Sequence, residues 1–113
     1  MEFPQETIDG VVVLQLDFNE MGQKEANELR QTVHNIAADS DKLVLNMQNL
    51  TYCDSSGFGC LMICRSYLTS RQGKLSLCCL TSEVYKAFQL MRLDQVIECH
   101  DTIKEAVAAA NID

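Results

Sequence analysis

At 113 residues with a formal net charge of −7, from 9 Lys and Arg against 16 Asp and Glu, the chain suits one acidic domain spanning residues 1–113. Hydrophobic residues make up 47% and charged residues 22%, enough for a packed core under a solvated surface. An acidic chain without a Lys/Arg cluster repels phosphate backbones and anionic lipid, so neither nucleic acid nor membrane is an expected partner.

The start, Met1-Glu2-Phe3-Pro4-Gln5-Glu6, has neither the basic n-region nor the apolar h-region of a signal peptide. No apolar run approaches the roughly 20 residues that a spanning helix needs. A soluble, cytoplasmic protein is expected.

Asp9-Gly10 predicts a tight turn between two extended pieces, residues 3–8 and 11–16. Pro4 demotes the first to an edge strand, because it cannot donate to a ladder. The second is apolar and β-branched, which suits a strand covered on both faces. A helix follows over 23–38, with Ala26, Leu29, Val33, Ile36 and Ala37 on one stripe. Leu43, Val44 and Leu45 centre a strand over 42–47, and residues 50–53 form a short lead-in to a serine-bearing stretch. From that stretch a second helix runs to Gln72, with Cys60, Leu61, Cys64 and Leu68 inward and Gly73 as its stop. A strand over 74–80 precedes a third helix opened by Thr81-Ser82, with Val84, Ala87, Phe88 and Met91 as its buried stripe. A short strand over 96–99 leads to Thr102-Ile103-Lys104-Glu105, a capping box that starts the last helix. Ile103, Ala106, Val107 and Ala110 share one face of it. Alternating strands and helices in the order ββαβαβαβα imply right-handed crossovers. The expected fold class is α/β: one mixed, mostly parallel sheet with four helices mainly on one face.

Six cysteines, Cys53, Cys60, Cys64, Cys78, Cys79 and Cys99, form no Cys-x-x-Cys pair. In a cytosolic chain they read as reduced, buried thiols, and no metal site or cofactor is expected.

Asp54-Ser55-Ser56-Gly57-Phe58-Gly59 lies where a strand gives way to a helix. Asp and Ser cap helix N-termini by accepting from backbone N–H groups that have no partner of their own. The same free donors and the helix dipole favour a phosphate on a serine there. On the residues alone, a plain cap and a phosphate-bearing switch both stand. A P-loop would need Gly-Lys-Ser/Thr. A hydrolase elbow would need Gly-x-Ser-x-Gly with His34 or His100 as its base. Neither pattern is present.

The order of elements, together with Leu50-Thr51-Tyr52-Cys53-Asp54-Ser55-Ser56-Gly57-Phe58-Gly59, resembles the STAS-domain family of anti-sigma-factor antagonists. In that family Asp-Ser-Ser/Thr-Gly-Leu-Gly opens a helix after a strand and a short apolar lead-in. The resemblance implies a non-enzymatic partner-switching protein. Its unmodified form would bind an anti-sigma factor that is also a serine kinase. Phosphorylation from ATP would release it, and a PP2C-type phosphatase would reset it. Ser55 is then the phosphoacceptor and Ser56 the second candidate. Asp54, Ser55, Ser56, Gly57, Phe58 and Gly59 form the partner-binding stretch. Phe58 stands where the family has Leu. In the loop before the first helix the family's Gly-x-Leu/Val-Asp is replaced by Asp17-Phe18-Asn19-Glu20-Met21-Gly22. That departure supports an alternative, a non-switching STAS scaffold subunit of a signalling or lipid-transport complex.

Overall fold

The structure, a computed structural model, describes residues 3–112. Met1, Glu2 and Asp113 lie outside the described residues, and with them the ends of the 1–113 span and part of the N-terminal reading. Its elements are β1 (Gln5–Ile8), β2 (Val11–Gln15), β3 (Glu20–Met21), α1 (Gln23–Ala37), β4 (Lys42–Asn46), β5 (Tyr52–Cys53) and α2 (Ser55–Ser70). They continue with β6 (Lys74–Cys78), α3 (Ser82–Leu90), a 3-10 turn (Leu93–Gln95), β7 (Glu98–His100) and α4 (Ile103–Ala110).

The main sheet has the order β1-β2-β4-β6-β7, with β1 antiparallel to β2 and every other pairing parallel. Asp9 and Gly10 both take positive φ, 51° and 80°, which is the backbone a two-residue hairpin turn demands. Ile8 therefore faces Val11 directly. Pro4 sits just before β1, where its carbonyl accepts from the Gln15 N–H at 2.8 Å.

Side chains alternate across the sheet and divide the core in two. Val12, Leu14, Leu43, Leu45, Leu75 and Leu77 point toward the main core, which α1, α2 and α3 complete with Leu29, Val33, Leu61, Leu68 and Phe88. Val11, Val13, Val44 and Cys78 point the other way, onto Ala106, Val107 and Ala110 of α4. Three helices thus cover one face, and α4 alone covers the other. The small alanines of α4 let it lie close against β2, β4, β6 and β7.

Some expected boundaries move, each for a backbone reason. Arg92 takes a left-handed conformation (φ 59°), so α3 stops at Leu90 and Met91 is 46% exposed instead of closing the buried stripe. The last strand consequently starts at Glu98, not at residue 96. Cys79 is likewise left-handed and ends β6 at Cys78. After α2 the left-handed residue is Gln72 (φ 62°), not Gly73. Gly73 is required for space: a Cβ there would lie 2.7 Å from the Asp41 carbonyl oxygen and 2.9 Å from Leu68 Cδ1.

These two neighbours should respond oppositely to substitution. Gln72→Gly relieves a left-handed side chain and should stabilise by about 0.5–1 kcal/mol. Gly73→Ala forces Cβ against backbone and should cost about 1–3 kcal/mol. Urea midpoints at unchanged m-value check both.

Candidate functional site

The serine stretch is positioned by a second, two-stranded sheet that a sequence pattern could not announce. β3 and β5 run parallel, with Glu20 beside Tyr52 and Met21 beside Cys53. Asn19 oxygen accepts from the Thr51 and Tyr52 N–H groups at 2.8 and 3.2 Å, and Met21 oxygen accepts from the Asp54 N–H at 3.1 Å. Each short strand feeds straight into a helix, so the N-termini of α1 and α2 begin side by side.

Asp54 caps α2: its Oδ1 accepts from the Gly57 N–H at 3.1 Å. On the α1 side, Glu25 Oε1 accepts from the Gly22 N–H at 2.9 Å. The two carboxylates converge. A Cβ on Gly22 would meet Asp54 Oδ2 at 3.4 Å and Glu25 Oε1 at 3.5 Å. Two positive helix ends are thereby answered by two negative side chains, which removes the like-sign repulsion of adjacent N-termini.

The six residues of the stretch do not share one role. Ser55 is the first residue of α2 and exposed, and among the described residues its hydroxyl makes no hydrogen bond. Ser56, half-buried, donates its hydroxyl proton to Gln23 Oε1 of α1 at 3.0 Å. Gly57 is buried where no side chain fits, since a Cβ would overlap Cys53 Sγ and lie 3.0 Å from both Met21 Cγ and Met21 oxygen. Phe58 turns inward and meets the Phe88 ring edge-on at 5.4 Å. Gly59 faces open space, with nothing within 4 Å of a Cβ. The outward surface of the turn is therefore Ser55 and Gly59, flanked by Tyr52, which is 59% exposed.

Residues outside the stretch complete the site: Met21, Gly22, Gln23 and Glu25. Met21 and Gly22 fall in the loop 17–22, visible as a departure but silent about its neighbour thirty residues on, and Gln23 and Glu25 of α1 carried no signal.

No histidine stands ready to activate Ser55. His34 stacks on Tyr67 at 3.9 Å, and Tyr67 lies twelve residues along α2 from Ser55, about 18 Å at helical rise. His100 sits on the edge strand β7, its Nε2 3.4 Å from Glu98 Oε1. A cleft of about 670 Å³ opens between β1 and α1 among Phe3, Gln5, Thr7, Val12, Thr32 and Ile36, away from the serine turn.

All six cysteines are free; Cys79 and Cys99 are half-buried and the other four buried. Burial pushes the Cys53 thiol up to about 12 and Cys99 up to about 11, and holds Cys78 well above the ordinary thiol value. Cys60 and Cys64 lie 3.9 Å apart on successive turns of α2, and that contact together with burial raises Cys64 strongly. The same contact lowers Cys60, while Cys53, Cys64, Cys78 and Cys99 stay protonated and pack as apolar side chains.

The family model for the STAS domain matches residues 2–106. Among solved structures, a Thermotoga maritima protein superposes with a TM-score of 0.86 at 23% identity, over 97% of this chain and 95% of that one. An anti-sigma factor antagonist from Mycobacterium paratuberculosis superposes at 0.85 and 21% identity, covering 98% and 94%. SpoIIAA, a Bacillus cell fate determinant, superposes at 0.72 in its phosphorylated form (22% identity, 96% and 98% covered) and at 0.71 in its unphosphorylated form. Likeness at these identities establishes the fold.

The two glycines of the turn offer a direct check of the geometry. Gly57→Ala should destabilise by about 1–3 kcal/mol through overpacking. Gly59→Ala should be neutral or stabilise by up to about 1 kcal/mol, as expected for an exposed helical glycine. Thermal unfolding of both variants would separate a packing role from a conformational one.

Proposed function

Because the chain belongs to the STAS domain family, we propose that it acts as an anti-sigma factor antagonist, a cytoplasmic, non-enzymatic binding protein formed by residues 1–113 as one module. The observation that carries this reading is the exposed, unengaged Ser55 hydroxyl at the first position of α2, set beside a second helix N-terminus. In its unmodified state the turn around Ser55, with Tyr52 and Gly59, is the docking surface for an anti-sigma factor that is also a serine kinase.

On this reading, transfer runs through Ser55. Ser55 Oγ attacks the γ-phosphorus of kinase-bound ATP, ADP leaves, and the hydroxyl proton passes to a base on the kinase. The product adds about −1.5 to −2 charge and three acceptor oxygens to a surface that the partner had covered. Backbone donors at the start of α2 accommodate those oxygens without remodelling the fold. A PP2C-type phosphatase, by hydrolysing the Ser55 phosphoester, returns the binding state.

Support also comes from SpoIIAA, whose phosphorylated and unphosphorylated structures superpose on this chain equally well. A switch of this kind needs no change of fold. The acidic surface agrees with a protein partner and with no role for nucleic acid or membrane. Among the described residues no helix is long and apolar enough to cross a membrane.

The test is a pull-down from the native host followed by intact-mass analysis with ATP. Wild type should capture a kinase-fold protein and gain one phosphate. Ser55→Ala should keep binding and gain none, and Ser55→Asp should weaken binding about tenfold or more, the effect of one uncompensated charge at an interface. Phosphate on Ser55→Ala at the wild-type level would overturn the assignment. A chain that never gains phosphate and co-purifies with a fixed complex would point to the scaffold subunit.

A further inference from the structure

Two serines stand side by side at the start of α2, Ser55 exposed and Ser56 half-buried, and the structure treats them differently. Ser56 donates to Gln23 Oε1 at 3.0 Å, whereas Ser55 is unengaged among the described residues. The direction of that bond is set along α1. Arg30 Nη2, which can only donate, lies 3.4 Å from Asn27 Oδ1 and marks that oxygen as an acceptor. Gln23 Nε2 donates to the same oxygen at 3.0 Å. The carboxamide of Gln23 is thereby oriented with its oxygen toward α2, and Ser56 must supply the proton.

We propose that Gln23 is a positioning residue that selects Ser55 over Ser56 as the hydroxyl to be phosphorylated, an inference that rests on reading the turn as a phospho-switch. A hydroxyl becomes a nucleophile by giving its proton to a base while its oxygen approaches phosphorus. The Ser56 proton is already committed to Gln23, and its oxygen is turned toward α1. A kinase would have to break that bond and rotate the side chain before transfer. Ser55 needs neither step. Its oxygen takes the phosphoryl group, and its proton leaves to the kinase base. The choice between two adjacent, chemically identical groups is thus made by a residue 33 positions away in sequence from Ser56. The β3–β5 pairing brings Gln23 there.

Two measurements test this, and they fail independently. The first needs no kinase. Three-bond Hα–Hβ couplings should report a single side-chain rotamer for Ser56 and an averaged one for Ser55 in the wild-type protein. In Gln23→Ala both should be averaged. Averaged couplings at Ser56 in wild type would overturn the inference. The second maps phosphate by fragment mass spectrometry after incubation with ATP and native host extract. Wild type should carry it on Ser55. Gln23→Ala should raise the Ser56-to-Ser55 ratio about fivefold, the change carried by one ordinary hydrogen bond. Gln23→Glu, which keeps an acceptor for Ser56, should restore the wild-type ratio even where the overall rate changes. An unchanged ratio in Gln23→Ala, or no rescue by Gln23→Glu, would overturn the proposal. Wild type with one rotamer at Ser56 but no phosphate anywhere would remove the phospho-switch reading and, with it, Gln23's role as selector.

Discussion

Two residues of strand pairing, Glu20–Met21 against Tyr52–Cys53, hold the starts of α1 and α2 side by side, and the chemistry of the site depends on that constraint. Without it, Asp54 would cap one helix and Ser56 would have no partner on the other. A ladder this short has little stability of its own. It persists because its inner side chains, Met21 and Cys53, are buried in the main core, and because Gly57 lets α2 press onto both. The core thus fixes the small sheet, and the small sheet fixes the turn.

Placing two helix N-termini together is electrostatically unfavourable unless something negative stands between them. Here Asp54 and Glu25 supply it, each through a backbone N–H: Asp54 on Gly57 and Glu25 on Gly22. Gly22 lacks a side chain at the point where the two carboxylates approach. The loop 17–22, which departs from the family's pattern, therefore still ends in a residue that the arrangement uses. Its composition differs, and its geometric task at residue 22 is met.

Much of the fold was legible because local and global preferences agree. Val11–Val13 is β-branched, Val11–Leu14 is buried on both faces, Asp9-Gly10 takes the two positive φ angles its turn needs, and Thr81 and Thr102 cap the helices they precede. The α2 start at Ser55 and its Asp54 cap were equally legible, since capping is local chemistry. Other features were not. Periodicity carried the α3 stripe on to Met91, because the left-handed turn at Arg92 leaves no mark in a hydrophobic pattern. Gly73 looked like the left-handed stop, yet Gln72 takes that conformation and Gly73 answers to crowding from Asp41 and Leu68. The β3–β5 pair has two residues per strand and so no period to detect. The tie from Ser56 to Gln23 depends on that pairing and was hidden with it. The stretch 54–59 was found, but its division into capped, packed and outward-facing residues required the neighbours that only the fold supplies.

That division separates a rigid base from an exposed apex. Below Ser55 the contacts are rigid: Gly57 against Cys53 and Met21, and Phe58 against Phe88. Above it the hydroxyl is free. The helix dipoles are already answered by Asp54 and Glu25. On the proposed reading, a phosphate on Ser55 would be added above these rigid contacts. The consequence falls on whatever covers the turn. A charge of about −1.5 to −2 in an exposed position is screened over about 8 Å at physiological salt, so its reach is the footprint of a bound partner and little beyond. On the proposed reading, the signal would be carried by surface potential above a rigid base.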